Sequence, residues 1–331
     1  MKEKLLDLLA CPTCGGDILL AYASKYEDKE IIDGVLTCRK CSREYRVVRG
    51  VPRFADLGKI EADKAETAEN FGWQWTHFTQ EDPKYVDQFL GWLQPVRPGF
   101  FEGKVVLEGG CGKGRHTKLA AEWGAKDVVG IDLGDGVESA FALTRHLPNA
   151  HIVQCDIFRL PLKRVFDYAF SVGVLHHTPS TERAFRALVQ LVKPGGEIAI
   201  SVYAATVKPG VGWALNMFRR RFLRVFTRRF PKRLMLWWSL YCVPVLWVID
   251  KIPVIRWIRY HLPAVIYKSY PLNQSVLDTF DVYASELESR HRPKEVIRWF
   301  REAGLTNIDL LDSEDGWVSV RGQAPAHSSL D

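Results

Sequence analysis

Four of the seven cysteines form two Cys-x-x-Cys pairs, Cys11-Pro12-Thr13-Cys14 and Cys38-Arg39-Lys40-Cys41, with 23 residues between them. Each pair turns the chain tightly enough for both sulfurs to reach one ion. Cys11, Cys14, Cys38 and Cys41 can therefore supply four thiolates in tetrahedral geometry, a donor set that suits structural zinc and leaves no open position for catalysis. The other three cysteines, Cys111, Cys155 and Cys242, are scattered. An odd total with this pairing points to a metal site in a reducing compartment rather than a disulfide framework. The apolar run before Cys11 is only Leu5-Leu6-Asp7-Leu8-Leu9, short of the ~7–15 residues of a secretory signal core, so the expected location is cytoplasmic.

A second constellation lies in Val105-Val106-Leu107-Glu108-Gly109-Gly110-Cys111-Gly112-Lys113-Gly114, a strand running into a glycine-rich turn and a helix. Gly110, Gly112 and Gly114 let the backbone bend sharply and approach a ligand closely. Alone, this pattern does not separate a dinucleotide site from other nucleoside sites. Three acids narrow the choice: Glu108 before the glycines, Asp132 (with Leu133) 24 residues later, and Asp156 (with Ile157) after the next strand candidate. A dinucleotide needs a helix N-terminus facing a pyrophosphate. S-adenosylmethionine has no phosphate, so carboxylates at strand ends can meet its ammonium, ribose hydroxyls and adenine amino group without repulsion.

The elements that must position these groups are legible as alternating periods. Strand candidates at 105–107, 127–131, 151–153, 166–170 and 197–202 are separated by helical segments, which indicates a doubly wound, mostly parallel sheet of the α/β class. Glu44 to Val48 alternates like a strand beside the cysteines. An amphipathic helix is expected from Pro293 to Ala303, followed by a hairpin of 308–311 with 317–320. The expected organisation is a zinc-ribbon domain (1–55), a linker and aromatic lid segment (56–103), a cofactor half (104–204), a helical insertion (205–275), a C-terminal part of the core (276–322) and a tail (323–331).

Residues 8–16, 36–41 and 45–54 resemble the small zinc-ribbon proteins that activate tRNA, rRNA and protein methyltransferases. That resemblance implies a docking or stabilising module. From about residue 70 to 322 the chain resembles class I S-adenosylmethionine-dependent methyltransferases, on the acid–glycine pattern above and on Lys193-Pro194-Gly195-Gly196-Glu197 as the turn into the fifth strand. The resemblance implies that Glu108 and the Gly110/Gly112/Gly114 loop hold the methionine part. Asp132 would take the ribose hydroxyls, and Asp156 with Ile157 the adenine edge. It also places the acceptor beside the loop after the fourth strand, where His176 and His177 are candidate bases. Their other reading is helix capping or packing. Tyr283 and His291, with the aromatic cluster 71–78, complete the candidate site.

Charge is distributed unevenly. The sum is +6, yet residues 205–272 hold 13 Lys/Arg, 13 aromatics and one acid, Asp250, so the rest of the chain is −6. Around Phe218 to Phe230 an amphipathic basic helix is expected, followed by a 16-residue apolar run, 234–249, interrupted by Pro244. Such a segment suits a membrane interface through 213–262, with a pocket cap, a homodimer face and nucleic acid as the other readings. The expected activity is methyl transfer, O- or C-methylation favoured, to a small or lipid-linked acceptor, on a cytoplasmic enzyme peripheral to the inner membrane face. The alternative is an RNA methyltransferase using the zinc ribbon and basic insertion for docking.

Overall fold

The protein is described here as a computed structural model, which covers residues 1–55, 84–205, 232–255, 272–284, 287–311 and 316–326, with shorter stretches within 60–72, 222–227 and 262–266. The backbone divides into two compact units, Met1–Ala205 with Ser289–Asp331, and Thr206–Glu288.

The first unit begins with a 3-10 turn, Glu3–Leu8, and four strands: β1 (Ile18–Glu27), β2 (Glu30–Cys38), β3 (Glu44–Val48) and β4 (Val51–Arg53). Two-residue turns join β1 to β2 through Asp28-Lys29 and β3 to β4 through Arg49-Gly50. All four residues have positive φ, the mirror-image turn whose twist matches the flanking strands. At Gly50 a Cβ would lie 2.3 Å from the Phe141 ring, so no other residue fits.

Along the chain follow α1 (Lys84–Trp92), β5 (Val105–Gly109), α2 (Arg115–Glu122), β6 (Asp127–Asp132), α3 (Gly136–Thr144), β7 (Ala150–Gln154), β8 (Phe166–Val172), α4 (Thr181–Val189) and β9 (Val192–Tyr203). The second unit contributes α5 (Lys232–Trp237), α6 (Val243–Asp250) and α7 (Leu272–Ala284). The first unit then resumes with α8 (Pro293–Glu302), β10 (Thr306–Leu311) and β11 (Trp317–Gln323).

All strands join one sheet of order β1-β2-β3-β4-β7-β6-β5-β8-β9-β11-β10. β7, β6, β5, β8 and β9 are parallel, and β11 and β10 close the far edge antiparallel. The central strands are buried on both faces, as parallel strands flanked by helices must be. The winding direction reverses between β5 and β8, which sets the ligand crevice beyond the C-terminal ends of these strands.

The cysteine-bearing segment shares this core. Leu5, Leu9, Ile18, Ile31, Leu36 and Val47 belong to one apolar cluster with Leu107, Val129, Val153 and Leu162. Val51 joins Val137, Ala140 and Ile152 in a second. β4 lies parallel to β7 with Arg53 opposite Gln154, and the Phe54 amide donates to Gln154 O at 2.8 Å. Leu9 also bridges to Leu162 on the other side.

In the second unit the apolar run is not broken at Pro244. α5 passes through a π-helical turn, Trp238–Cys242, directly into α6. The wider turn opens the hydrogen-bond ladder where proline has no amide to give. Met235, Ser239, Val243 and Leu246 are buried, whereas Leu234, Trp237, Tyr241, Val245 and Val248 are exposed. Most of the expected basic helix, and residues 73–78 of the aromatic cluster, lie outside the described residues.

Because Leu9 packs with β5 and β7 residues, Leu9→Ala is expected to cost about 2–5 kcal/mol and to lower one shared transition. Urea unfolding followed by tryptophan fluorescence and by reactivity of the paired cysteines should give coincident midpoints. Earlier release of the thiols would contradict a shared core.

Candidate active site

The sulfurs of Cys11, Cys14, Cys38 and Cys41 all lie within 4.8 Å of one another. Cys11 Sγ is 3.8 Å from Cys41 Sγ, and Cys14 Sγ is 3.5 Å from Cys38 Sγ. The Tyr45 hydroxyl stands 3.2 Å from Cys11 Sγ. Burial alone would raise the Cys11 thiol, but that hydroxyl and nearby amides hold it below the usual range.

At the C-terminal end of β5 the chain enters Gly110, Gly112 and Gly114, each left-handed with φ of 81°, 52° and 81°. A Cβ on Gly110 would stand 2.3 Å from Val174 Cγ1, and one on Gly114 2.9 Å from Ala140 Cα. The loop is therefore pinned between the turn after β8 and helix α3, and only glycine fits either position.

The three acids differ in placement. Glu108 points inward and is buried. Its Oε1 accepts from His116 Nδ1 at 3.0 Å, and its Oε2 accepts from the Thr117 hydroxyl. Arg115 Nε donates to His116 Nε2 at 3.1 Å, which fixes the proton on Nδ1. Burial holds the His116 ring neutral, with Arg115 and Lys113 adding to the effect, and the ring stacks on Phe89 with centroids 4.4 Å apart. Asp132, half-buried at the end of β6, accepts from the Gly112 amide and the Gly134 amide, each at 2.9 Å. Burial raises its carboxyl and these amides lower it, with a net upward shift. Asp156 follows β7 by two residues; its Oδ1 accepts from the Phe158 amide at 3.0 Å. Leu133 and Ile157 are the half-buried residues that follow the two aspartates.

His176 and His177 end a short 3-10 turn, Leu175–His177, after β8. Both are buried, with ring centroids 4.3 Å apart. His176 lies 3.9 Å from the Tyr203 ring, and neither of its ring nitrogens has a hydrogen-bond partner among the described residues. Burial, then His177, Arg290 and His291, hold it neutral. His177 meets Phe71 at 5.0 Å. His291 is brought to the same loop indirectly. Its Nε2 lies 2.9 Å from Ser289 Oγ and 3.0 Å from Thr181 Oγ1, while the Ser289 amide donates to His176 O at 2.8 Å. Tyr283 belongs to the second unit, where it is buried and its carbonyl accepts from the Thr227 hydroxyl at 3.0 Å.

Three further groups were not singled out by sequence. Lys64 pairs with Asp156 at 3.1 Å and caps the Phe158 ring at 4.4 Å. Arg53 forms an ion pair with Glu138 and donates to Gln154 Oε1 at 3.0 Å. Gln154 Nε2 in turn donates to Leu133 O at 3.0 Å. Only Arg53 left a signal, as one of six cations within residues 39–53.

Residues 107–200 match the methyltransferase domain family and residues 2–50 the Trm112p-like proteins. The tRNA U34 carboxymethyltransferase of Pseudoalteromonas translucida (strain TAC 125) is 33% identical over 117 residues, 34% of this chain and 35% of that protein. The probable tRNA methyltransferase 9B of Mus musculus is 29% identical over 151 residues, 44% of this chain and 29% of that protein. The chain thus spans about a third of the length of these curated relatives. A solved complex between the Haloferax volcanii Trm112 methyltransferase activator and the putative methyltransferase is 16% identical with a TM-score of 0.47, covering 80% of this chain and 99% of that one.

Relatives named for tRNA overturn the expectation of a small or lipid-linked acceptor and of a membrane contact through 213–262, and with it the placing of nucleic acid behind them. The physical reason is that cations interleaved with aromatics suit a phosphate-bearing surface of either kind. Composition in the insertion therefore could not separate a headgroup layer from an RNA backbone.

Burial pushes the Glu108 carboxyl up to about 8 against an ordinary value of 4.5, outweighing the Thr117 hydrogen bond and Arg115. The folded-state value lies above the unfolded one, so this group's contribution is fully present below about pH 4.5 and is lost as pH rises toward 8. Glu108→Gln cannot ionise. Its urea midpoint relative to the parent is expected to rise between pH of about 5.5 and 8.5. Parallel pH profiles for both proteins would contradict the buried assignment.

Proposed function

We propose that this chain, a methyltransferase domain joined to a Trm112p-like ribbon, transfers a methyl group from S-adenosylmethionine to an RNA of the tRNA class. The observation that carries the cofactor half is the set of carboxylates at adjacent strand ends, Asp132 after β6 and Asp156 after β7, beside a left-handed glycine loop. Each carboxylate keeps lone pairs beyond its backbone bonds, which suits hydroxyl and amino donors and repels phosphate. The tRNA-modifying relatives support the acceptor, and a tRNA acceptor supports a cytoplasmic setting.

In this reading Asp132 and Leu133 hold the ribose, and Asp156 and Ile157 the adenine edge. Gly110, Gly112 and Gly114 admit the methionine part close to the backbone. Glu108 acts from beneath, through His116 and Thr117, by tying the first turn of α2 to the strand end. When bound, the cofactor supplies a methyl group activated on a sulfonium, and placement accounts for much of the catalysis of an in-line transfer. His176, whose two ring nitrogens are unpaired among the described residues, is the loop's candidate to take a proton from the acceptor, although burial lowers its basicity. His177 orders the loop against Phe71, and His291 holds Ser289 on the His176 carbonyl. Tyr283 is given no part in the transfer.

The four cysteines fit zinc. A tetrahedron with ~2.3 Å Zn–S bonds has sulfur–sulfur edges of ~3.8 Å, against 3.5 and 3.8 Å here. Four thiolates fill such a site, so the ion is structural, and its loss is expected to release the ribbon strands.

Incubation with methyl-labelled cofactor and bulk tRNA should place label in RNA; label confined to lipid, protein or small molecules would contradict the acceptor. Asp132→Ala removes a charged acceptor, a change worth about 1.5–3 kcal/mol, or roughly tenfold or more in cofactor affinity by calorimetry. Zinc content should stay at the parent level. Unchanged affinity would overturn the assignment of Asp132.

A further inference from the structure

We infer that the outward face of the ribbon, on β1 to β3 and the turn after β2, is a track for the RNA backbone. The inference rests on the RNA reading above and names the surface that would deliver the acceptor.

Strand register builds the track. Directly opposed residues on neighbouring strands share a face. Tyr22 on β1 stands opposite Val35 on β2, Val35 opposite Arg46 on β3, Arg46 opposite Arg53 on β4, and Arg53 opposite Gln154 on β7. The adjacent row, Ala23-Gly34-Val47-Pro52, faces the other way, and Val47 is buried. Alternation therefore turns Tyr22 and Arg46 outward while Val47 packs inward, and the row becomes covered toward Arg53 and Gln154.

The charge on the exposed strands and turns of the ribbon is largely uncompensated. Residues 39–53 contain Arg39, Lys40, Arg43, Arg46, Arg49 and Arg53 against one acid, Glu44. All but Arg53 are exposed. Arg49 and Arg53 share a single carboxylate, Glu138. Arg43 is held by the Thr13 hydroxyl at 3.0 Å. Arg39, Lys40 and Arg46 form no ion pair among the described residues. Tyr22, 59% exposed, and Leu19, 45% exposed, offer an aromatic and apolar platform on the same strand edge. Exposed cations beside an exposed aromatic ring match a single-stranded backbone with stackable bases.

The row leads on to the chemistry. Its last member, Gln154, donates to the carbonyl of Leu133, the residue after Asp132. The row is covered at this end, with Arg53 half-buried against Glu138 and Gln154 buried, so Arg39, Lys40 and Arg46 hold the RNA strand and the link to the carboxylate loops runs beneath it.

Binding of a labelled short single-stranded RNA and of bulk tRNA, followed by fluorescence anisotropy from about 50 to 200 mM salt, tests this. The triple substitution Arg39→Gln, Lys40→Gln, Arg46→Gln is expected to flatten the log K against log salt slope by about 2, at ~0.7 per lost phosphate contact. Arg46→Gln alone should flatten it by about 0.7 and serves if the triple variant loses zinc. Tyr22→Ala should weaken binding roughly tenfold with the slope unchanged. Arg298→Gln, an equally exposed cation on α8, should change neither. Cofactor affinity should stay constant throughout, and the loss of transfer should appear in the KM for RNA rather than in kcat. If the parent labels and binds RNA but the variants keep its slope, the track is overturned and the RNA reading stands. If the parent neither binds nor labels RNA, both fall.

Discussion

A parallel sheet that ended at β7 would leave a row of unpaired backbone groups on its edge, with Ile152 and Val153 short of apolar neighbours. β4 covers the C-terminal end of that edge, where Arg53 pairs with Gln154. The Phe54 amide donates to Gln154 O, Arg53 reaches Gln154 Oε1, and Val51 packs with Ile152 while Leu9 and Val47 join Val153. The ribbon in turn gains from this seam, because a unit of about 55 residues around a metal cluster buries little apolar surface on its own. Each half supplies what the other lacks, and the result is one sheet of eleven strands rather than two domains on a tether.

That seam also sets the site. β7 carries Asp156 just beyond its end, and Gln154 is bonded to the loop after Asp132. Whatever fixes β7 from the ribbon side therefore fixes two of the three acids. The third, Glu108, is fixed from the opposite direction, by burial and by the first turn of α2. The glycine loop is thus held between a seam and a buried carboxylate, and its Gly110, Cys111, Gly112 and Gly114 amides are bonded to Ile131 O, Asp132 and Cys111 O, which leaves it little freedom to lose on binding.

Sequence carried what is local. The cysteine spacing, the glycine turn and the apolar strands β5 to β9 are short-range patterns, and the hairpin of β10 and β11 follows from adjacency in the chain. β1 and β2 were not legible as strands. β1 is exposed on much of both faces and carries register shifts at Leu20/Tyr22 and Ala23/Lys25, so its period-2 signal is weak. The seam joins residue 53 to residue 154, a pairing no local pattern encodes. Glu108 was legible as an acid at a strand end but not as an inward one, since that depends on His116 and Thr117 one helical turn away. The acceptor was not legible because the cations and aromatics of 205–272 suit a lipid headgroup layer and an RNA backbone alike.

The ribbon holds the β7 side of the core in place, and hydrogen exchange across the seam reports whether it does. With the cysteine-bound ion stripped by a chelator, the amide of Phe54 and those of β7 should lose protection together, while β8 and β9 retain theirs. Unchanged protection of β7 in the stripped protein would show that the core closes its own edge and would contradict the account.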